Sequence, residues 1–331
     1  MLKKLFISFI IFLTIFLLAF AICFLVRFSE KPGSATFGVN FSQKHAQNLG
    51  LDWKDAYLAL LDELKVKKIR LAVYWDLIEK KEGEYDFGDL DWQIEEAGKR
   101  GAEIILAMGM KTPRWPECHF PEWTVGLDKE KRQEKVLSLL QEIVLRYRDK
   151  DSIWVWQVEN EPFFPFGECP PFDDDFLKEE INLVKLLDLG SKPILMSDSG
   201  EWSFWIKPAK LGDIVGVTMY KKVWVEQWGF YFNYFFPSVF YQRRAELIKR
   251  FFGKDVICVE LQAEPWGPKL LYDIMPEEQK KTMDLERFKK NIEFARKTGL
   301  DTFYLWGGEW WYWMKEKQNQ PEIWEEAKKL F

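Results

Sequence analysis

Histidine is scarce in this chain of 331 residues, where His45 and His119 are the only two. A histidine-rich metal site is therefore excluded, and a Ser-His-Asp arrangement has few possible bases. The four cysteines show no CxxC spacing that would indicate zinc. The net charge of −5 comes from mixed acids and bases, and the absence of a basic stripe argues against a nucleic-acid partner. Carboxylates remain as the obvious catalytic groups, and the sequence implies no cofactor and no metal.

One long apolar run stands near the N-terminus, where two lysines precede residues 5–26 and Arg27 closes the run. About 20 apolar residues suffice to cross a bilayer. A cleavable signal peptide has a shorter apolar core and a small-x-small exit, and Ala19-Phe20-Ala21 offers only a weak one.

We therefore expect three segments. Residues 1–28 form a cytoplasmic tip and an uncleaved transmembrane anchor, with a cleaved signal peptide as the alternative. Residues 29–34 form a linker, and 35–331 form one catalytic domain outside the cytoplasm. The membrane is thus an expected partner through the N-terminal helix, whereas the oligomeric state stays open.

Short apolar segments alternate with amphipathic helical patterns after residue 34. The predicted strands are Thr36–Phe41, 68–73, Glu103–Met108, Ile153–Val158, 193–197, Ile214–Met219, 256–259 and Thr302–Trp306. Helical patterns such as Lys129–Tyr147 and Ser238–Phe252 separate them. Eight strand–helix alternations predict an α/β fold, with a parallel sheet closed as a single (β/α)8 barrel.

Tryptophan is abundant, with 17 residues, and many of them fall in segments that follow the predicted strands. Barrel active sites lie at the carboxyl ends of the strands. Aromatic rings there suit the apolar faces of sugars, although many such rings simply pack loops against the barrel. Trp115, Trp202, Trp266 and Trp310 are our candidates for a sugar platform.

Two predicted strands run into carboxylates. Asn160-Glu161-Pro162 follows the fourth strand, and Glu260 ends the seventh, with Glu264 as a weaker competitor farther into the loop. A pair of carboxyl groups is what cleavage of a glycosidic bond requires, one as acid and one as nucleophile or base. Asn160 is placed to hydrogen-bond a sugar hydroxyl. A helix cap or an ordinary ion pair is the structural alternative for each acid.

With these residues in place, the sequence resembles clan A glycoside hydrolases, which are (β/α)8 enzymes with retaining chemistry. The resemblance runs from 36 to 313 and implies that Glu161 is the acid/base and Glu260 the nucleophile. It further implies that Arg70 and Tyr220 support the nucleophile and that Trp306 lies under the sugar. Residues 74–91 are similar to β-galactosidase-like and xylanase-like families of the clan.

The chain departs from the clan in two places. Thr218-Met219-Tyr220 stands where many members carry His-x-Tyr, and Lys111 ends a segment where many carry a histidine. The catalytic pair is unaffected. The sugar, the linkage, and exo or endo action stay open.

Two further features lead to expectations. Cys118 and Cys169 fall in loops after neighbouring strands, so they can pair in an oxidising compartment. Residues 228–237 are rich in aromatics and form either a membrane or partner surface or a lid packed on the barrel.

The expected function is that of a membrane-anchored retaining glycosidase for a β-linked glycan or glycoconjugate. A transglycosylase of envelope polysaccharide and a catalytically silent carbohydrate-binding barrel are the alternatives.

Overall fold

The computed structural model describes Phe6, residues 9–11, 13–14 and 34–331. Apart from these positions, the expected anchor and linker over 1–34 lie outside the described residues. Among the residues described, no helix has both the length and the apolar character that a bilayer span requires.

Eight parallel strands of the described chain close into one barrel, as predicted. The strands are β1 Thr36–Phe41, β2 Lys68–Ala72, β3 Glu103–Met108, β4 Ile153–Val158, β5 Ile194–Asp198, β6 Ile214–Met219, β9 Asp255–Gln262 and β10 Thr302–Trp306. They follow one another around the barrel in chain order, and β10 pairs with β1 to close it. All eight carboxyl ends therefore meet at one mouth.

Helices surround this barrel. They are α1 Gln43–Asn48, α2 Trp53–Asp62, α3 Trp75–Ile78, α4 Gly88–Lys99, α5 Lys129–Tyr147, α6 Asp174–Leu187, α7 Ile206–Leu211, α8 Ser238–Phe252, α9 Pro276–Gln279, α10 Leu285–Lys297, α11 Gly308–Gln318 and α12 Glu322–Ala327. Aspartates begin several of them. Asp128, for example, accepts a hydrogen bond from the backbone N–H of Lys131 and so caps the first turn of α5.

The apolar core lies in two places. A small cluster fills the barrel interior and includes Ile105, Val155, Leu195, Val259 and Tyr304. A much larger cluster lies between the strands and the helices. Because side chains alternate across a strand, strands such as β3, β4 and β10 contribute to both.

Strand β9 contains a bulge that decides where Glu260 points. Opposite β6, Cys258 pairs with Val217 and Glu260 with Thr218, so β9 has one residue more than its neighbour. The pairing with β10 slips at the same level. Val259 and Glu260 therefore both face the interior despite being adjacent. The expectation that Glu260 ends this strand is wrong, since β9 continues to Gln262.

A hairpin that the sequence did not predict follows β6. Its antiparallel strands are β7 Lys222–Val225 and β8 Phe230–Asn233. The Gln262 side chain holds its base, accepting from the N–H groups of Lys221 and Lys222 and donating to the Lys222 carbonyl. The aromatic segment 228–237 is thus largely a hairpin fixed to the end of β9, and Trp228 and Phe235 remain exposed.

Cys118 and Cys169 form a disulfide, with 5.3 Å between their Cα atoms. The predicted pairing is confirmed, and it joins the loops that follow β3 and β4. Cys258, buried in β9, is free.

Candidate active site

Glu260 is buried, and both of its carboxylate oxygens accept hydrogen bonds. Arg70, from β2, donates through Nη1 to Oε1 at 2.7 Å. The hydroxyl of Tyr220, directly after β6, donates to Oε2 at 2.9 Å. One of these contacts is an ion pair and both are charge-assisted, so the carboxylate has a fixed orientation. These are the contacts that the resemblance implied.

Glu161 lies just beyond β4 with a backbone φ of +41°, which is unusual for a residue with a side chain. Its N–H donates to Ser197 Oγ at 2.9 Å, and its Oε1 accepts from Thr218 Oγ1 at 3.3 Å. Burial and then the negative charges of Glu260 and Glu117 raise the pKa of Glu161 well above its usual value. A carboxyl that keeps its proton near neutral pH can serve as a general acid.

Arg70 connects the two halves of the site. Besides Glu260, its guanidinium donates to Gln157 Oε1 at 2.8 Å, Asn40 Oδ1 at 2.9 Å and Asn160 Oδ1 at 2.7 Å. The residue is fully buried, so these acceptors replace the water that it loses. The oxygen of Asn160 is thereby occupied, and its amide nitrogen donates one N–H to Glu117, so only the second N–H can donate to a sugar.

Glu117 is a third buried carboxyl of the site, and our sequence analysis missed it. Its Oε2 accepts from Asn160 Nδ2 at 2.9 Å, and Lys111 Nζ lies 3.9 Å away. Burial raises the pKa of Glu117 to about 8, although the charge of Lys111 opposes the rise. The available signal was Lys111, a cation in the segment after β3 where many members of the resembled clan carry a histidine. A buried cation requires a nearby acid.

Glu264, the weaker candidate for nucleophile, has a different role. It forms an ion pair with Arg114, and His45 Nε2 lies at 3.5 Å. Burial is the largest influence and acts to raise its pKa, but the charge of Arg114 and the contacts with His45 together outweigh it and lower the pKa of Glu264 to about 2. Arg114 also binds Glu309. These contacts join the loop after β3 to the far side of the mouth.

The aromatic candidates divide into two groups. Trp306 borders a narrow pocket beside Arg70, and the Arg114 guanidinium lies 4.1 Å from its ring centre. Trp115 is 46% exposed and Trp266 is half-buried, both at the rim. Trp310 is not a platform residue, because it is buried in α11 and its indole N–H donates to Gln279 Oε1. Trp310 lies in the first turn of α11, on the side of the helix that faces the core.

Comparison with known proteins points to one group of enzymes. The glycoside hydrolase 42 family model, described as β-galactosidase, matches residues 51–169. β-Galactosidase BgaA of Clostridium cellulovorans is 29% identical over 46% of this chain and 26% of its own length. β-Galactosidase GalA of Bacillus licheniformis is 24% identical over 49% of this chain and 28% of its own. The matched part therefore spans about a quarter of the length of these relatives.

Solved structures extend the likeness to the whole barrel. A GH5_18 protein from Streptomyces cattleya, solved in complex with GlcNAc, superimposes with a TM-score of 0.55 at 15% identity, covering 83% of this chain and 71% of that one. The structure of CbXyn10B gives 0.55 at 18% identity, with 83% and 84% covered. The fold and the site thus define a (β/α)8 protein with paired carboxylates at its mouth. The chain is thus similar to clan A glycoside hydrolases, in residues 51–169 by the family model and over the barrel by its fold.

Proposed function

We propose that the protein is a membrane-anchored retaining glycosidase that cleaves a β-linked glycan or glycoconjugate, with Glu161 as acid/base and Glu260 as nucleophile. The observation that carries the proposal is the contrast between the two acids. Glu260 is held by a guanidinium and a phenol, whereas burial and nearby negative charge raise the pKa of Glu161. Such unequal environments divide the roles of nucleophile and acid between two carboxyls.

The proposed reaction has two displacements. Glu161 protonates the departing oxygen while Glu260 attacks the anomeric carbon, and a glycosyl-enzyme forms. The ester at Glu260 then carries no charge, so one of the influences that raise the pKa of Glu161 is removed. Glu161 can next accept a proton from the water that releases the sugar.

The test uses the full chain in detergent micelles and a panel of aryl β-glycosides. β-Galactosides come first, because the curated relatives are named β-galactosidases. The expected product keeps the β configuration by proton NMR. Glu161→Ala should retain activity on substrates with good leaving groups and form a β-glycosyl azide when azide is added. Glu260→Ala should lose nearly all turnover, and a 2-fluoro-sugar should label Glu260.

Glu277→Ala, at an exposed position of α9, serves as the matched control and should behave as wild type. An inverted product, or a label on Glu264, would overturn the assignment. A predominance of transfer products over free sugar would favour the transglycosylase alternative, which uses the same two residues. Sugar binding without turnover in the wild type would favour the silent barrel.

The anchor is the second part of the proposal and is supported by the apolar run over 5–26. A Cys118–Cys169 disulfide also suits a barrel in an oxidising compartment. Protease added to spheroplasts should digest the barrel while the inner membrane is intact. A mature protein that starts after residue 26 would contradict an uncleaved anchor.

A further inference from the structure

Different groups surround Glu260 on its two sides. On one side, the narrow pocket beside Arg70 is lined from β1, β2 and β10 by residues such as Asn40 and Trp306. On the other side, Glu161 turns toward β5 and β6, where it contacts Ser197 and Thr218. An acid that protonates the leaving oxygen must stand on the leaving-group side of the sugar. The leaving group therefore lies over the loops that follow β5 and β6.

The loop after β5 is fixed to the acid. Thr218 Oγ1 accepts from the Gly200 N–H at 3.0 Å and donates to Glu161 at 3.3 Å. A Cβ on Gly200 would lie 1.6 Å from the Thr218 carbonyl oxygen, so only glycine permits this approach. Trp202 follows two residues later, and its N–H donates to Ser199 Oγ at 3.2 Å. The position of Trp202 is thus set relative to Glu161.

Trp202 is exposed but held in place. Trp202 is 58% exposed, yet its indole N–H donates to the Tyr234 hydroxyl at 2.9 Å. The two rings meet edge to face with centroids 6.0 Å apart. Tyr234 follows β8, and its own N–H donates to the Lys221 carbonyl. An exposed ring with a fixed orientation loses little entropy when a ligand stacks on it.

We propose that Trp202 and Tyr234 form a binding site for the leaving group and that the leaving group is a further sugar unit. This inference rests on the proposed function and extends it to the substrate. A pyranose offers an apolar face to the indole and hydroxyls to the rim, which matches an amphipathic aromatic pair.

The experiment compares two substrates that share one sugar and differ in the leaving group. A β-linked disaccharide presents a sugar to Trp202, whereas the β-glycosyl fluoride presents only fluoride. Trp202→Ala should lower kcat/KM for the disaccharide by about 2- to 10-fold, the range expected for lost aromatic stacking. The value for the fluoride should stay unchanged. Phe251→Ala removes another exposed ring, at the end of α8 and far from the mouth, and should change neither value.

Each other outcome decides against the inference. An equal fall in kcat/KM on both substrates would mean that Trp202 affects the whole active site. An unchanged kcat/KM on the disaccharide would mean that Trp202 does not contact the leaving group. A larger loss on an octyl glycoside than on the disaccharide would assign the site to a lipid. If the wild type cleaved neither the fluoride nor the disaccharide, the proposed function itself would fail, whereas cleavage of both without any effect of Trp202→Ala would refute this inference alone.

Discussion

Glu117 influences both candidate catalytic carboxyls. It accepts from Asn160, Asn160 accepts from Arg70, and Arg70 donates to Glu260. When Glu117 is ionised, its negative charge also raises the pKa of Glu161. A single side chain in the loop after β3 thus influences the geometry at one acid and the charge balance at the other.

Removing the acceptor at Glu117 should impair turnover more than removing its charge. Glu117→Ala frees Asn160 and loosens Arg70, so kcat should fall by roughly 10- to 100-fold, the range for a lost hydrogen bond to a charged group. Glu117→Gln can still accept from Asn160 and should stay within about threefold of wild type. Steady-state kinetics on one aryl glycoside measures both. Equal effects of the two substitutions would show that Asn160 does not depend on this contact.

At the scale of elements, the disulfide joins two loops that carry site residues. Cys118 follows Glu117 directly, and Cys169 lies in the loop that begins with Glu161. Gly167 packs so closely that a Cβ there would lie 2.6 Å from the Glu117 Cβ. The two loops therefore form one packed unit at the mouth.

Replacing both cysteines by serine should lower the free energy of unfolding by roughly 2–4 kcal/mol, as expected for a native disulfide that closes a loop of intermediate length. Urea unfolding of the oxidised wild type and the Cys118→Ser/Cys169→Ser variant measures the difference. The reduced wild type should match the variant, and the variant should not respond to reductant. A wild type that is equally stable with and without reductant would contradict the expectation.

Most elements could be predicted from the sequence because their determinants are local. The ends of β1, β3, β4, β6 and β10 follow apolar runs, and α5 and α8 follow amphipathic patterns. The bulge in β9 was not predictable, since it depends on the register with both neighbours. The hairpin was missed because its turn and aromatic strands lacked the simple polar–apolar alternation of a half-buried strand. Within the site, the two catalytic candidates were visible because each follows an apolar strand segment, whereas Glu117 and the position of Trp310 depend on tertiary packing.

At the scale of the molecule, buried acids make stability depend on pH in a defined direction. Burial raises the pKa of Glu117 to about 8 and that of Glu201 to about 7. A carboxyl whose pKa is higher in the folded than in the unfolded protein contributes its full stability only below the unfolded value of about 4.3. That contribution is lost as the pH rises toward about 8. Glu264 acts oppositely. Despite its burial, Arg114 lowers its pKa to about 2, so its contribution is lost as pH falls from about 4.3 toward 2.

We therefore expect the highest stability near pH 4 and a decline toward pH 8. Glu201→Gln should reduce that decline, because both hydrogen bonds to Glu201 end on Oε1 and the amide oxygen can accept them. At pH 8 the variant should exceed wild type by roughly 1–3 kcal/mol, and near pH 4 the two should agree. Urea unfolding at several pH values provides the test. Parallel pH profiles for the two proteins would show that Glu201 does not titrate in this range.

The extra residue in β9 means that this strand can lose one residue without turning Glu260 away from the barrel interior. Substitutions among apolar residues at 256–259 keep the residue count, so a library of such variants should retain the position of Glu260. Deletion of Val259 would leave Cys258 opposite Val217 and Glu260 opposite Thr218 with strict alternation, so the carboxylate would still face the interior. Tolerance in this segment should therefore be broad for replacements and should include the deletion of Val259.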